Sequence, residues 1–367
     1  MKIRTIAAPE LSPSLVEAWR RIQQAHEHLN SPCFAPEFTQ LVALSCPDVE
    51  VAVIEKCGIP VGFFPFQRGA FDRQGLVGTT LDALGMACPV GRMLSDYHGV
   101  ISAPELEIDA KTLLRACSLS VWDFDHLPMS QKAFAGHCRS VEPMSVLDLS
   151  QGFNAVVARK TAAGSQQFIK WARQARVLER DFGALRFVPH SDDRDALEQV
   201  LEMKSKQYIA SGLDDLFAHD WVRLLVENIH LMRRPDFSGQ LSLLYAGDTL
   251  VAGHFGMRSA KVFHYWFPAY AASVAKYSPG IVLMIKLAEH ASATGITRFD
   301  IGKGSEKYKE QFRTHTVPLG IGSAQLPSLI SLYRVMKRMA DKRDHSADED
   351  SSPDTPHGDP AKAQSAA

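Results

Sequence analysis

The sequence predicts a mixed α+β protein built as two tandem units, each a largely antiparallel sheet flanked by helices. Three observations carry that expectation. The chain has 367 residues, 46% of them hydrophobic, and at roughly 150 residues per domain that length suits two cores. Two distant segments, 51–67 (VAVIEKCGIPVGFFPFQ) and 241–257 (LSLLYAGDTLVAGHFGM), each set two apolar runs around a glycine turn, which is the pattern of a hairpin. Each hairpin is later followed by a helix and a strand, at 111–118 and 121–127 in the first half and at 280–293 and Arg298–Lys303 in the second. An internal duplication follows, with units at 1–155 and 156–342.

Taken in order, apolar alternation marks a strand at 2–6, and helical spacing marks helices at 14–29 and 36–45 before the first hairpin. The second unit adds strands at 184–188, 261–267 and 324–326, helices at 194–210 and 215–231, and a closing helix at 328–338. Between the units, 158–182 reads as helical after Gly164. Phe168, Trp171, Ala172, Ala175 and Leu178 form its apolar face, and Arg159, Lys160, Lys170, Arg173, Arg176 and Arg180 charge the rest. Two readings of that charge stand: the solvated face of a linker helix, or a collar for a phosphorylated ligand between the units. The last 25 residues hold no Leu, Ile, Val, Phe, Tyr or Trp and carry six acids against two bases. Such a segment, 343–367, is expected to be a disordered acidic tail.

Lys and Arg total 40 against 41 Asp and Glu, which excludes a globally basic DNA binder. No run reaches the ~18 apolar residues of a membrane span, and the first residues lack a signal-peptide core. The six cysteines all lie in the first half without a C-x-x-C pair. A cytoplasmic chain with free thiols and no metal is therefore expected. The G-x-S-x-G, P-loop and H-E-x-x-H motifs are absent from the sequence.

Chemistry concentrates in 261–312. A strand leads into Ser278-Pro279-Gly280, which suits a helix start: Ser278 as N-cap, Pro279 in the first turn, and Gly280 leaving room for a ligand beside the backbone. From Ile281 the helix is apolar, and its first N–H groups would accept a phosphate. The stretch that follows, Asp300-Ile301-Gly302-Lys303-Gly304 through Tyr308-Lys309 to Phe312, ends a strand at a cleft. Gly302 and Gly304 would let the chain turn close to a ligand, Asp300 would point a carboxylate into the cleft, and Lys309 would pair with a phosphate or with Asp300. His254 and His264, on the two strands flanking the cleft, are candidate bases, as are Asp96 and Tyr97.

The order hairpin, strand, anion-binding helix start, strand resembles the GNAT acyltransferases. K-Y-S-P-G stands where that superfamily usually carries Q/R-x-x-G-x-G/A. The D-x-G-x-G and Tyr-Lys run, with Leu84-Gly85, Asp96-Tyr97 and Gly99 in the first half, is similar to the BioF-like or CelD/BcsL-type acetyltransferases, relatives of the Fem-type peptidyltransferases. This resemblance implies tandem GNAT-like domains with splayed sheets over roughly residues 40–340. It implies an acyl-CoA donor, most simply acetyl-CoA, bound along 262–267 and at Ser278, Pro279, Gly280, Ile281 and Lys309. Tyr308, Asp300 and His264 would be catalytic, with Tyr308 protonating the leaving thiolate. Asp96, Tyr97, Gly302 and Gly304 would meet a small or sugar-linked acceptor, in cellulose, exopolysaccharide or envelope metabolism. No activated Cys or Ser motif appears, so direct transfer to an amine or hydroxyl is expected. The alternatives are a Fem-like transferase using aminoacyl-tRNA and a non-catalytic CoA-binding module.

Overall fold

Local sequence signals account for most element boundaries in the computed structural model, which describes residues 1–69, 85–304, 306–334 and 336. The first half runs β1 (Lys2–Ala7), α1 (Pro13–Ala25), α2 (Pro36–Ser45), the hairpin β2 (Val49–Lys56) and β3 (Ile59–Arg68), then β4 (Met86–Cys88) and β5 (Ile101–Ser102). It continues with α3 (Ala110–Ala116), β6 (Val121–Pro128), α4 (Lys132–Ala135) and β7 (Cys138–Asp148). The second half opens with α5 (Phe153–Ala162), α6 (Gln167–Phe182), β8 (Leu185–Val188), α7 (Arg194–Ala210) and α8 (Asp220–Leu231). The hairpin β9 (Ser238–Ala246) and β10 (Thr249–Arg258) follows, then β11 (Val262–Tyr270), α9 (Pro279–Ala293), β12 (Arg298–Lys303), α10 (Lys307–Phe312) and β13 (His315–Gln325).

Caps explain several starts. The Ser12 hydroxyl accepts from Leu15 N–H ahead of Pro13, and the Asp193 carboxylate accepts from the N–H groups of Asp195 and Ala196. The first hairpin turns on Cys57 and Gly58, both at positive φ (52° and 78°), as a two-residue turn requires. The helix expected at 215–231 begins at Asp220, because the Asp215 carboxylate accepts from Phe217 N–H and closes a separate 3-10 turn.

The strands form one sheet in the order β1-β2-β3-β4-β6-β13-β7-β12-β11-β10-β9-β8, with β5 on β3. The sheet is antiparallel except at two places, one in each half, and both parallel pairings are short. β4 meets β6 only at Met86–Ala87 against Val121–Trp122, and β11 meets β12 only at Val262–His264 against Arg298–Asp300. In the second half β11 runs on to Tyr270 with no pairing to β12 past His264 among the described residues, which leaves an opening between these strands.

Two strands correct the expected layout of one sheet per unit. β7 was not anticipated, and it pairs with both β12 and β13. β13 is far longer than the expected 324–326 and returns to the first half, between β6 and β7. Pro318, Gly320 and Gly322 interrupt its apolar alternation, which hid it. A Cβ on Gly320 would fall 2.3 Å from Cys138 Sγ, and one on Gly322 2.3 Å from the His137 carbonyl, so close approach to β7 demands these glycines.

Helices α1, α2, α7 and α8 cover one face over a core continuous through both halves, from Trp19 and Phe63 to Val200 and Phe255. On the other face, α5, α6 and α9 cover the second half over Trp171, Leu287 and Phe299, and α3 and α4 cover the first over Phe64, Trp122 and Phe134. Glu37, 5% exposed, ties the halves as well: Arg20 donates to it and Arg234 Nε lies 3.2 Å away. Cys33, Cys57, Cys117 and Cys138 are free thiols. No helix among the described residues is long and apolar enough to cross a membrane. The tail at 343–367, Leu84 and the end of the closing helix lie outside the described residues.

Candidate active site

The opening in the second half is bounded by β11, β12 and the start of α9. Past His264, no strand among the described residues pairs with the β12-facing edge of β11, which runs on to Tyr270. Both strands are buried here: His264 and Asp300, directly opposite each other in register, are each 0% exposed.

The first half supplies the wall of this opening through three consecutive residues. Asp96, its side chain 19% exposed, places Oδ2 3.1 Å from His264 Nε2 and Oδ1 3.5 Å from His126 Nε2. Burial alone would raise the Asp96 carboxyl, but the His264 imidazole, with His126 and Lys309, outweighs it and holds the group down to about 2. Tyr97 was expected to face the acceptor. It is instead buried, and Arg298 Nη2 donates to its hydroxyl. The same guanidinium donates from Nε to Asp300 Oδ1 at 2.7 Å. Burial raises the pKa of Asp300 against the pull of Arg298, and its Oδ2 has no hydrogen-bond partner among the described residues. Lys309 was expected to pair with a phosphate or with Asp300; that carboxylate is taken by Arg298.

His98 completes the junction. Its Nε2 accepts from the backbone N–H groups of Asp125 (3.2 Å) and His126 (3.0 Å), which fixes His126 beside Asp96. Burial lowers the His98 imidazole to about 3, so it stays neutral and keeps the lone pair those bonds need. Sequence reading missed His98, His126 and Arg298. Their one signal was nearness in the chain to residues already singled out, His98 to Asp96 and Arg298 to Asp300.

His254 is excluded as a base by its contacts. β11 bulges opposite Gly256, where the register moves from Phe255↔Phe267 to Met257↔His264. The N–H of Trp266 in that bulge donates to His254 Nε2 at 3.1 Å, and burial lowers this imidazole well below its ordinary value.

At the far end of β11, about 20 Å from His264 along the strand, lies the start of α9. Pro279 occupies the first turn as expected, but Ser278 does not cap with its side chain. Ser278 sits in the left-handed region (φ 53°), and its hydroxyl accepts from Gln174 Nε2 at 3.2 Å instead. The N–H groups of Ile281 and Val282 turn back to the Ser278 carbonyl, so Ile281 does not present a free donor. Gly280 faces open space: an added Cβ would meet only Tyr270 Cδ1, at 3.4 Å.

The chain after β12 closes the near end. Gly302 (φ 94°) and Gly304 (φ 118°) both need the left-handed side of φ. Lys309, 6% exposed, donates to the Lys303 carbonyl and lies 3.0 Å from Glu306 Oε2. Burial and the Glu306 charge push the Tyr308 hydroxyl well above the ordinary phenol value, so it holds its proton. Lys204 on α7 went unnoticed in the sequence; burial and the charge of Lys309 lower it to about 8. Among the described residues no group of His, Cys, Asp or Glu is arranged to hold a metal ion.

Residues 166–310, from α6 to α10, match the family described as Acetyltransferase (GNAT) domain. Three solved structures share the fold. FemX has 9% identity and a TM-score of 0.58, covering 91% of this chain and 99% of its own. The C-terminal domain (DUF2156) of a putative lysylphosphatidylglycerol synthetase from Agrobacterium fabrum has 13% identity and a TM-score of 0.52, covering 88% and 95%. A conserved protein of unknown function from Bacteroides thetaiotaomicron has 12% identity and a TM-score of 0.51, covering 85% and 97%. The comparison with curated proteins gives no match. At these identities the structures establish the fold alone, and none of the three is described as a BioF-like or CelD/BcsL-type enzyme. Residues 166–310 thus match a GNAT acetyltransferase domain, within a larger α+β fold shared with FemX.

Proposed function

We propose that this protein is an acyl-CoA-dependent acyltransferase, most simply an acetyltransferase, acting directly on an amine or hydroxyl acceptor. The observation that carries the reading is the unpaired edge of β11, which joins an open helix start at Gly280 to the buried Asp96–His264 contact. A donor with phosphates at one end and a thioester at the other fits that span. Its phosphates would lie at the start of α9 and its extended arm along Tyr265–Tyr270, adding to the sheet edge as a strand does.

The reaction then follows from the residues at the near end. The acceptor nitrogen or oxygen attacks the thioester carbonyl carbon, and its proton passes to His264 Nδ1, which has no hydrogen-bond partner among the described residues. Asp96, held as a carboxylate, orients that imidazole from the other side. Collapse of the tetrahedral intermediate breaks the C–S bond. The protonated Tyr308, which packs with Tyr265 beside this edge, gives its proton to the departing thiolate. Gly302 and Gly304 turn the chain away so that the acceptor can enter.

Thermal unfolding with acetyl-CoA, longer acyl-CoAs and CoA tests the reading. A ligand at about 100 times its dissociation constant adds about 2.7 kcal/mol of stability. A shift lost in Gly280→Trp supports the donor position, and no shift with any CoA overturns it.

A second reading, an aminoacyl-tRNA donor, is favoured by Lys170, Arg173 and Arg176. They are exposed on α6 beside α9 and have no ion-pair partner among the described residues. A binding constant for charged tRNA that falls steeply with salt, weakened by removing those three charges, would support it.

A further inference from the structure

A bulge in β6 reaches the Asp96–His264 contact from the first half. The pairing of β6 with β13 moves from Leu127↔Gly320 to Phe124↔Gly322, so Asp125 and His126 stand together against Ile321, outside the register. Their consecutive N–H groups converge on one atom, His98 Nε2, at 3.2 and 3.0 Å. His98 is buried, its ring edge-on to Trp122 and to His126 with centroids 6.0 and 6.2 Å away.

From that bulge the His126 side chain meets the site. Its Nε2 lies 3.5 Å from Asp96 Oδ1, and its Nδ1 lies 2.9 Å from Asp125 Oδ1. Asp96 Oδ2 in turn lies 3.1 Å from His264 Nε2. One carboxylate thus carries an imidazole on each oxygen, one from each half of the chain. The two imidazoles are not held alike. His264 stands in register with Met257 and Asp300 on neighbouring strands, whereas the N–H of His126 finds His98 instead of a strand. His98 is two residues from Asp96, so the contacts close a ring. It runs from Asp96 to the His126 side chain, from the His126 N–H to His98, and back through Tyr97, whose hydroxyl accepts from Arg298. The residue type fits the place. A neutral imidazole accepts both N–H groups without adding charge, whereas a carboxylate there would compete with Asp96 for His126.

We propose that His98 is a positioning residue of this site: by holding the two N–H groups of the β6 bulge, it sets His126 against one oxygen of Asp96 and so turns the other oxygen toward His264. Only the effect on turnover rests on the acyltransferase reading; the hold on Asp96 stands without it.

The test uses the full chain with isotope-labelled histidine, following the His264 ring resonances, which are assigned by their loss in His264→Gln. His98→Ala should move them, because the change travels through His126 and Asp96. His98→Gln, whose carbonyl oxygen can accept the same two N–H groups, should leave them near the parent positions. His126→Leu keeps both N–H bonds to His98 and should move the His264 resonances as His98→Ala does. Unmoved resonances in His126→Leu overturn the proposal even where His98→Ala does not fold. A shift in His98→Gln as large as in His98→Ala overturns it as well. In a second arm, steady-state kinetics with acetyl-CoA should give a kcat about tenfold lower in His98→Ala at unchanged KM, largely restored in His98→Gln. An unchanged kcat in folded His98→Ala overturns the proposal. Shifted His264 resonances in a chain that transfers no acyl group to any amine or alcohol support the hold on Asp96 and count against the acyltransferase reading.

Discussion

His264 Nε2 and Asp96 Oδ2 lie 3.1 Å apart, although one stands on a strand of the second half and the other on a loop of the first. The contact brings the first half into the proposed site. Asp96→Asn should keep the shape and remove the charge that orients His264, lowering kcat by about a hundredfold. Steady-state kinetics of the variant with its best acceptor measures this.

The same carboxylate predicts an acid limb in stability. Its folded value is about 2 against an ordinary 3.8, so its contribution is complete above pH 4 and is lost as pH falls toward 2. That contribution is about 2 kcal/mol. Denaturant unfolding at stepped pH should show a shallower fall between pH 4 and pH 2 in Asp96→Asn than in the parent.

His98 acts over a different window. Its folded value is about 3 against an ordinary 6.5, so the unfolded chain takes the proton first. Stability should fall by about 1.4 kcal/mol per pH unit from this group as pH drops from 6.5 toward 3. His98→Phe abolishes that slope but leaves the N–H groups of Asp125 and His126 without an acceptor, at a cost of about 1–3 kcal/mol near neutral pH. Unfolding curves at pH 7 and pH 5 separate the two effects.

Two glycines should respond in opposite ways. A Cβ on Gly256 would fall 2.4 Å from the His264 carbonyl and 2.5 Å from His254 Cε1. Gly256→Ala should therefore cost about 1–3 kcal/mol. Gly280→Ala meets only Tyr270 at 3.4 Å and should stay within about 0.5 kcal/mol of the parent. Paired melting curves decide both.

Glu37→Gln should loosen the two halves from each other. It leaves Arg20 and Arg234 facing a neutral amide at a site 5% exposed, and because both arginines keep Asp236 and reach water the loss should be about 2 kcal/mol. Chemical denaturation at low and high salt checks it.

Much of this fold is written locally. The hairpins, α2, α7 and β12 follow from apolar period, caps and turn glycines, and those signals lie within each segment. β7 and β13 were hidden because their registers are set by partners far along the chain, and close packing at Gly320 and Gly322 displaced the side chains that would have marked a strand. The site divides in the same way. Asp96, His264 and Asp300 were legible as polar residues in motifs, and the structure sets Asp96 against His264 and Asp300 opposite it in register. Tyr97 and Lys309 were legible as site residues but not in orientation, since Arg298 and Glu306 decide where they point. Lys204 gave no signal, because one lysine on an amphipathic helix becomes unusual only through what it packs against.

Calorimetric titration of acetyl-CoA into the parent and Gly280→Trp tests the central claim most directly. The account predicts one site per chain in the parent and at least tenfold weaker binding in the variant, with its fold intact. Undiminished binding in Gly280→Trp, or none in the parent, would contradict a donor lying along β11.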